Sequence, residues 1–177
     1  MQLEDDTLKL RAADPTDLEL LYTWENAPEF WTVSETLTPY SRFALEQYLQ
    51  DAGKDIFEAK QLRLMIDLKN DDGSQTTIGT ADLLNFDPHS KRAEIGLLIF
   101  APQHRGQGYA RKTMLLLKNY AFEHLLLHQL YVHIMTQQKP TITLFQSLGF
   151  DIAGIKKDWK ASAKGWQDAA FMQCINK

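Results

Sequence analysis

The chain has 177 residues, of which 44% are hydrophobic and 24% charged, and its net charge is −4. This length and composition are typical of one globular domain with a sizeable core, so we expect a single domain over residues 1–177. An acidic chain is a poor candidate for nucleic-acid binding. No run approaches the roughly 20 apolar residues that span a bilayer, the acidic start is unlike a signal peptide, and Cys174 is the only cysteine. We therefore expect a cytoplasmic protein that does not insert into membranes.

The charge is unevenly distributed along the chain. Residues 1–35 carry nine carboxylates against Lys9 and Arg11, a net charge of −7, whereas the stretch from Ile95 to Phe122 has four basic residues and no carboxylate. The first region suits a cationic partner and the second an anionic ligand. The alternative is that these charges lie on solvated helix faces.

Apolar periodicity and capping residues define the elements of the N-terminal half. We predict a strand at 8–12, a helix that Asp14 caps and that runs to about Glu25, and a second helix from Ser41 to about Gly53. Strands follow at 62–69 and 76–86, joined by a polar turn. The segment between the two helices is an acidic connector rich in aromatic residues.

The C-terminal half alternates between strands and helices. We predict a strand around Glu94, a helix from Gln107 to about Leu126, a strand at 130–136, a helix at 140–148, and two strands flanking a turn near Gly165. The elements together indicate an α+β fold, with a central, mostly antiparallel sheet and helices on both faces.

A glycine-bearing turn separates the strand around Glu94 from the long helix that follows it. A loop that leads into a helix N-terminus directs unpaired backbone N–H groups, and the positive end of the helix dipole, at one point. Glycines allow close approach of the backbone to phosphate and the positive φ angles that such a loop needs. We therefore predict a diphosphate site formed by Gln103, His104, Arg105, Gly106, Gln107, Gly108, Tyr109 and Ala110.

The pattern Gln103-x-x-Gly106-x-Gly108 resembles the Gln/Arg-x-x-Gly-x-Gly/Ala signature of the GNAT superfamily of acetyltransferases. Two further segments occur in the order and at the spacing found in that family, Arg92-Ala93-Glu94 upstream and a late helix ending in Gly149-Phe150 downstream. Within the superfamily the chain is most similar to spermidine N-acetyltransferases and to ribosomal-protein acetyltransferases. The resemblance covers nearly the whole chain.

The resemblance implies the GNAT fold, in which two middle strands splay apart and the pantetheine arm of acetyl-coenzyme A occupies the gap. In this sequence the two strands lie around 94–100 and 130–135. The implied cofactor contacts outside the loop are Leu98, Ile99, Phe100, Gln138 and Phe145. Backbone N–H groups near 98–100 would polarise the thioester carbonyl.

Glu94 is the candidate general base. An alkylammonium has a pKa near about 10.4, so a proton must be removed before the amine can attack the thioester. Glu94 lies on the strand just before the cofactor loop, where many relatives have an acidic residue. The alternatives are that Glu94 pairs with Arg92 or another base, or that it only orients the ammonium of the substrate.

The general acid departs from the family pattern. GNAT enzymes commonly protonate the leaving thiolate with a tyrosine five residues before the phenylalanine of Gly-Phe, and Phe145 occupies that position here. Phenylalanine has no proton to donate, which leaves Tyr131 or water as the source. Gln138 replaces the asparagine of many relatives and keeps the same donor and acceptor types.

The resemblance places one wall of the acceptor site in the connector between the first two helices. Aromatic rings and carboxylates both attract ammonium groups, and the candidates are Trp24, Glu25, Glu29, Trp31 and Glu35. The alternative is that the tryptophans pack in the core and the glutamates are solvated. The five histidines lack the spacing of metal ligands, so we expect no catalytic metal.

The leading hypothesis is an acetyl-coenzyme A-dependent N-acetyltransferase that acts on a polyamine such as spermidine or on a similar small cationic amine. The first alternative keeps this chemistry but takes a protein N-terminus as acceptor, as a ribosomal-protein acetyltransferase does. The second alternative is a regulatory module that binds acyl-coenzyme A without catalysis, which the phenylalanine at position 145 suggests. The resemblance also implies a possible homo-oligomer.

Overall fold

The computed structural model describes residues 3–34, 36–162 and 165–177. These residues form seven strands and six helices. The strands are β1 (Leu8–Ala12), β2 (Leu62–Lys69), β3 (Gln75–Asp87), β4 (Arg92–Ile99), β5 (Gln129–Met135), β6 (Asp151–Ser162) and β7 (Gly165–Ile175). The helices are α1 (Leu18–Glu25), α2 (Pro28–Ser34), α3 (Arg42–Asp51), α4 (Ile56–Ala59), α5 (Tyr109–Asn119) and α6 (Lys139–Ser147).

The strands form one sheet in the order β1-β2-β3-β4-β5-β7-β6. Neighbouring strands are antiparallel except β4 and β5, which are parallel and are connected through α5. The predicted fold class, an α+β fold with a mostly antiparallel sheet, is confirmed.

The two parallel strands separate after a short contact. Among the described residues, β4 and β5 pair at three positions, Arg92 with Gln129, Ala93 with Leu130 and Glu94 with Tyr131. Beyond Glu94, β4 continues to Ile99 and β5 to Met135 without further pairing between them. The predicted splay of the middle strands is therefore present, and it opens a gap in the middle of the sheet.

Strand alternation sorts the side chains onto two faces of the sheet. On the face covered by α5, residues such as Ile66, Ala81, Ile95 and Leu130 pack with Leu117 in the main core. On the opposite face, Met65 packs with Leu21 of α1 and Leu49 of α3 in a second, smaller cluster. Polar residues of the middle strands, Glu94 among them, lie on this second face.

Most element boundaries match the predictions, including both N-caps. Asp14 forms a capping box with Asp17 around a 3-10 turn, Pro15–Asp17, that leads directly into α1, and the Ser41 hydroxyl accepts a hydrogen bond from the Ala44 amide. The differences are two short helices, α2 and α4, in segments predicted as loops, and the end of α5. That helix gives way at Tyr120 to a π-helical turn that runs to His124. Among the described residues, no helix is long and apolar enough to span a membrane.

Candidate active site

A cavity of about 990 Å³ extends along the gap between β4 and β5 and under α1 and α3. The residues predicted from the sequence that line it are Glu25, Glu94, Leu98, Ile99, Phe100, Ala110, Gln138 and Phe145. The structure thus places the predicted base, the predicted contacts of the pantetheine arm and the first turn of α5 around one cavity, of a size typical of small-molecule sites.

The loop before α5 has the geometry of an anion site. Gly106 and Gly108 have φ angles of +71° and +84°, and Gly108 is the N-cap of α5. The amide of Lys112 donates to the Gly108 carbonyl at 3.1 Å. The amides of the first helical turn precede that bond, so they have no partner within the helix. A Cβ atom at Gly106 or Gly108 would contact nothing within 4 Å, so the backbone conformation is what requires glycine.

Two residues of the predicted cradle are engaged elsewhere. The amides of His104 and Arg105 donate to the carbonyls of Ala101 and Pro102, both at 3.0 Å. The Arg105 guanidinium donates to the carbonyls of Ile99 at 2.9 Å and Phe100 at 2.7 Å. Arg105 therefore fixes the end of β4 to the loop. Its contact with diphosphate stays a prediction, and among the loop amides those of His104 and Arg105 are already hydrogen-bonded.

Only alternate amides of β4 face the gap. The Phe100 amide donates to the Ile78 carbonyl of β3 at 3.0 Å, so it is unavailable to a thioester. Because backbone groups of a strand alternate in direction, the Leu98 amide also faces β3, while those of Leu97 and Ile99 face the gap left by β5. Of the amides predicted near 98–100 to polarise a thioester, the one at Ile99 is directed at the gap.

Glu94 belongs to a hydrogen-bonded group on the floor of the cavity. Its Oε1 lies 2.7 Å from Nδ1 of His133, and its Oε2 accepts a hydrogen bond of 2.8 Å from the Asn85 side chain. Asn85 reaches it from a bulge of β3, where its φ angle is +49°. Tyr131 is the register partner of Glu94 on β5. Burial, and then the charge of Glu94, raises the pKa of Tyr131, which keeps the phenol protonated.

A second charged group lies under α1 and α3. Arg63 of β2 donates from Nη1 to Glu25 and from Nε to Asp82, both at 2.7 Å, and its guanidinium lies 5.5 Å from the centroid of the Tyr48 ring. Burial lowers the pKa of Arg63, but the charge of Asp82 and the contributions of its other neighbours outweigh burial and raise it. Glu25 therefore reaches the cavity as part of an ion-paired group rather than as a free carboxylate.

The predicted acceptor wall is largely a packing feature. The Trp24 ring stacks on Phe100 with centroids 4.1 Å apart and planes 5° apart, and it does not line the cavity. The indole of Trp31 donates to the Glu25 carbonyl at 3.1 Å. Glu29 is exposed in the first turn of α2. Glu35 lies outside the described residues.

The anionic surface predicted for residues 1–35 is partly neutralised by cations from other parts of the chain. Glu4 pairs with Lys69 at 2.8 Å, and Glu19 pairs with Arg42 at 2.8 Å. The pairing of Glu25 with Arg63 has the same effect. The sequence does not show this compensation, because Lys69, Arg42 and Arg63 lie far along the chain from these glutamates and only folding brings them together.

Phe145 and Gln138, two of the predicted contacts of the pantetheine arm, both line the cavity. Phe145 is buried, and its ring packs edge-to-face on Phe150 with centroids 5.1 Å apart. Gln138 is the N-cap residue of α6 but makes no side-chain cap bond, so its amide is left to the cavity. The described residues contain no group of three or more His, Cys, Asp or Glu side chains that could hold a metal ion.

The polar residues of the cavity that the sequence analysis did not identify include Arg63, Asp82, Asn85 and His133. A signal for His133 was present in the alternation of β5, where Leu130, Val132 and Ile134 are buried. Once β5 is placed beside β4, that alternation puts His133 on the same face as Glu94. Asp82 is similarly a carboxylate between the apolar residues Ala81 and Leu83 of β3, and all three are buried.

The comparisons with known proteins agree with this fold. The family model described as "Acetyltransferase (GNAT) domain" matches residues 7–151, which is most of the chain. The chain therefore belongs to the GNAT family of acetyltransferases.

The chain is also similar to individual members of the family. The chain is 27% identical over 146 residues to the spermidine N(1)-acetyltransferase of Vibrio cholerae, covering 81% of this chain and 78% of that protein. It is 26% identical over 151 residues to the Escherichia coli K12 enzyme of the same name, covering 84% and 75%. The crystal structure of the Vibrio cholerae spermidine N-acetyltransferase in complex with CoA and spermine matches with a TM-score of 0.82 at 24% identity, covering 97% of this chain and 96% of that one.

Proposed function

We propose that this protein is an acetyl-coenzyme A-dependent N-acetyltransferase whose acceptor is a polyamine such as spermidine, or a similar small cationic amine. The observation that carries the proposal is the continuity of one cavity from the N-terminus of α5 to the carboxylates of Glu94, Asp82 and Glu25. A phosphorylated carrier and an amine can thus meet in one space. The relatives named for spermidine, and the structure that holds CoA and spermine, support the same chemistry.

The cofactor end is formed by the gap and the loop before α5. The amides from Gly106 into the first turn of α5 would hold the diphosphate. Gln138 and Phe145 would contact the pantetheine arm. The amides of Leu97 and Ile99 would face the thioester and stabilise its developing oxyanion.

The acceptor end, the part of the cavity that would hold the amine, has carboxylates from β3, β4 and α1. Glu94, Asp82 and Glu25 line it against the cations Arg63 and Lys160, so carboxylates predominate and an ammonium group is favoured there. Removing a proton from the ammonium falls to the pair formed by Glu94 and His133. Tyr131 lines the same cavity with a phenol that retains its proton, so we assign it to protonate the leaving thiolate in place of the missing tyrosine at position 145.

The test is release of the coenzyme A thiol from acetyl-coenzyme A in the presence of spermidine, spermine, short diamines, aminoglycosides, amino acids or N-terminal peptides. Turnover with polyamines at the highest kcat/KM is the expected result. Turnover with peptides alone would assign the protein to N-terminal acetylation. Tight coenzyme binding without turnover on any acceptor would contradict catalysis and favour a binding module.

The same proposal extends to the whole chain and its surroundings. Residues 1–177 would act as one domain, in the cytoplasm, where acetyl-coenzyme A is available. Self-association is also proposed, because β6 is a terminal strand whose apolar residues Ile152 and Ile155 are about half exposed. A dodecameric structure of the Vibrio cholerae enzyme matches this chain with a TM-score of 0.79. Light scattering coupled to gel filtration would measure the mass in solution.

A further inference from the structure

We propose that Nε2 of His133 is the atom that takes the proton from the acceptor amine, and that Glu94 is a positioning residue that holds the imidazole in the required tautomer. This inference rests on the proposed function, and it assigns different roles to the two members of the pair. Neither the family resemblance nor the sequence analysis identified His133.

The first argument is the state of the two His133 nitrogens. Nδ1 lies 2.7 Å from the Glu94 carboxylate, and a carboxylate accepts, so the proton of a neutral imidazole lies on Nδ1. Nε2 then carries a lone pair. Among the described residues Nε2 has no hydrogen-bond partner, although it is shielded from solvent. A buried acceptor without a partner is unfavourable, and an ammonium N–H that reaches Nε2 from the cavity would supply the missing hydrogen bond.

The second argument is that Glu94 is already occupied. Its two oxygens accept from Asn85 and from His133. A proton moving from an amine onto either oxygen would compete with one of these hydrogen bonds. A proton moving onto Nε2 disturbs neither, and the resulting imidazolium gains charge attraction to Glu94. The imidazole therefore takes the proton, and the carboxylate stabilises the resulting positive charge.

The third argument is the way the ring is held. Trp159 stacks on His133 with centroids 5.9 Å apart and planes 21° apart, and Phe171 packs at 5.3 Å. The His133 side chain is 16% exposed. A ring fixed on both sides and at Nδ1 presents Nε2 in one direction. Both His133 and Trp159 line the cavity that also holds Glu94.

The proton balance of the transfer follows. The ammonium gives one proton to Nε2, the neutral amine attacks the thioester carbonyl, and the bond between carbon and sulfur breaks. The second proton of the nitrogen reaches the thiolate sulfur through Tyr131. The imidazolium then releases its proton to solvent, so the reaction yields the acetamide, the coenzyme thiol and one proton.

The decisive variant is His133→Asn, because asparagine can still donate to Glu94 but has no basic nitrogen. With spermidine we expect kcat at neutral pH to fall by about 10²–10⁴-fold, while the Kd for coenzyme A measured by calorimetry is unchanged. The deficit should shrink as the pH approaches the pKa of the amine, which then loses its proton to water. The matched control is His89→Asn, which removes an exposed histidine outside the cavity. Glu94→Gln, which still accepts from Nδ1, should be slower than wild type but faster than His133→Asn.

The pH profile must be interpreted with the neighbouring charges in mind. Glu94 faces His133 from β4, Tyr131 lies beside it on β5, and from β6 Lys156 lies over the Trp159 and Phe171 rings while Lys160 also lines the cavity. Kinetics of the wild type with polyamines test the proposed function separately. If the wild type is active and His133→Asn matches it across pH, the assignment to His133 is wrong while the proposed function stands.

A measurement on the unaltered protein needs no turnover. In ¹⁵N-edited NMR spectra of the wild type recorded with a neutral His133 imidazole, we expect the proton to be on Nδ1, and we expect the Nε2 resonance to move when spermidine is added. A proton on Nε2 in the free protein would overturn the proposal whatever the enzyme kinetics show. This result also decides the matter if His133→Asn does not fold.

Discussion

The Nε atom of Arg63 lies 2.7 Å from Oδ1 of Asp82, and the same guanidinium reaches Glu25 of α1. The side chains of Asp82 and Glu25 are 8% and 12% exposed, so two carboxylates with little access to water depend on one cation. This contact connects β2, β3 and α1 directly beneath the acceptor end of the cavity. Removing the guanidinium would leave two buried charges without compensation.

We predict that Arg63→Met lowers the free energy of unfolding by about 3–5 kcal/mol, because the buried carboxylates would lose their counterion. The matched control is Arg42→Met, which removes an arginine that also packs on a tyrosine but whose pair with Glu19 is exposed. That control should cost far less, because solvent screens an exposed pair. Urea unfolding measures both, and equal losses in the two variants would contradict the importance of burial at Arg63.

The cradle assignment predicts that Gly106→Glu raises the Kd for coenzyme A at least about tenfold, a loss of about 1.4 kcal/mol or more. The carboxylate would repel the diphosphate, and its side chain would occupy the space that the ligand enters. Calorimetry measures the affinity.

Gly73→Glu is the control for the cradle variant. Gly73 has a φ angle of +82° and open space around it, as Gly106 does, but it lies in the turn between β2 and β3. Backbone strain should therefore be similar in the two variants, and coenzyme affinity should change only in Gly106→Glu. A loss of affinity in both would show that strain, and not the site, is responsible.

Asp17 gives a pH-dependent prediction. It accepts two hydrogen bonds from Arg11, at 2.7 and 2.8 Å, and one of 2.8 Å from the Asp14 amide. Burial raises the pKa of Asp17, but these hydrogen bonds outweigh it, so the pKa is lowered overall. The stabilisation is therefore present above the pKa of the unfolded chain, near about 3.9, and is lost as the pH falls through the lower folded value.

We expect Asp17→Asn to lose about 1–3 kcal/mol of unfolding free energy at pH 7 and to approach the wild type in strong acid. Denaturant unfolding at a series of pH values measures the gap. Asp151→Asn, at an exposed position that starts β6, is the control and should show a small difference at all pH values. A gap for Asp17→Asn that stays constant down to pH 2 would contradict the lowered pKa.

The missing tyrosine at position 145 predicts a gain of function. Phe145→Tyr places a phenol at the cofactor end of the cavity, so we expect kcat to rise with coenzyme affinity unchanged. Phe150→Tyr is the control, because Phe150 packs against Phe145 but does not line the cavity, and it should lower stability without raising kcat. An unchanged rate in Phe145→Tyr would mean that thiolate protonation does not limit turnover.

Tyr131→Phe tests the acid that we assign. Loss of its phenol should lower kcat by about 10²-fold or more while leaving coenzyme affinity intact. The double variant Tyr131→Phe with Phe145→Tyr should recover part of that rate if the two positions serve the same thiolate. A Tyr131→Phe enzyme as fast as the wild type would leave water as the proton donor.

The sequence predicted the features that depend on residues close together in the chain, namely the helix caps and the glycine positions. Asp14 and Ser41 cap helices through bonds to their own neighbours, and the cradle glycines are required by backbone angles, so sequence spacing was sufficient for them. The pairing of Glu25 with Arg63 joins residues 38 positions apart, and sequence composition cannot show it. The stacking of Trp24 on Phe100 likewise joins residues far apart along the chain, so sequence composition could not choose between a packing role and a place in the acceptor wall.

The three residue pairs that join β4 to β5 have a mechanical consequence. They are the strand pairing that connects one half of the sheet, β1 to β4, with the other half, β5 to β7. Within each half the strands pair over more residues, so separating β4 from β5 breaks fewer strand pairings than separating any other two neighbouring strands. A ligand bound in the gap would contact both halves of the sheet. Its binding would therefore raise the free energy of separating the two halves.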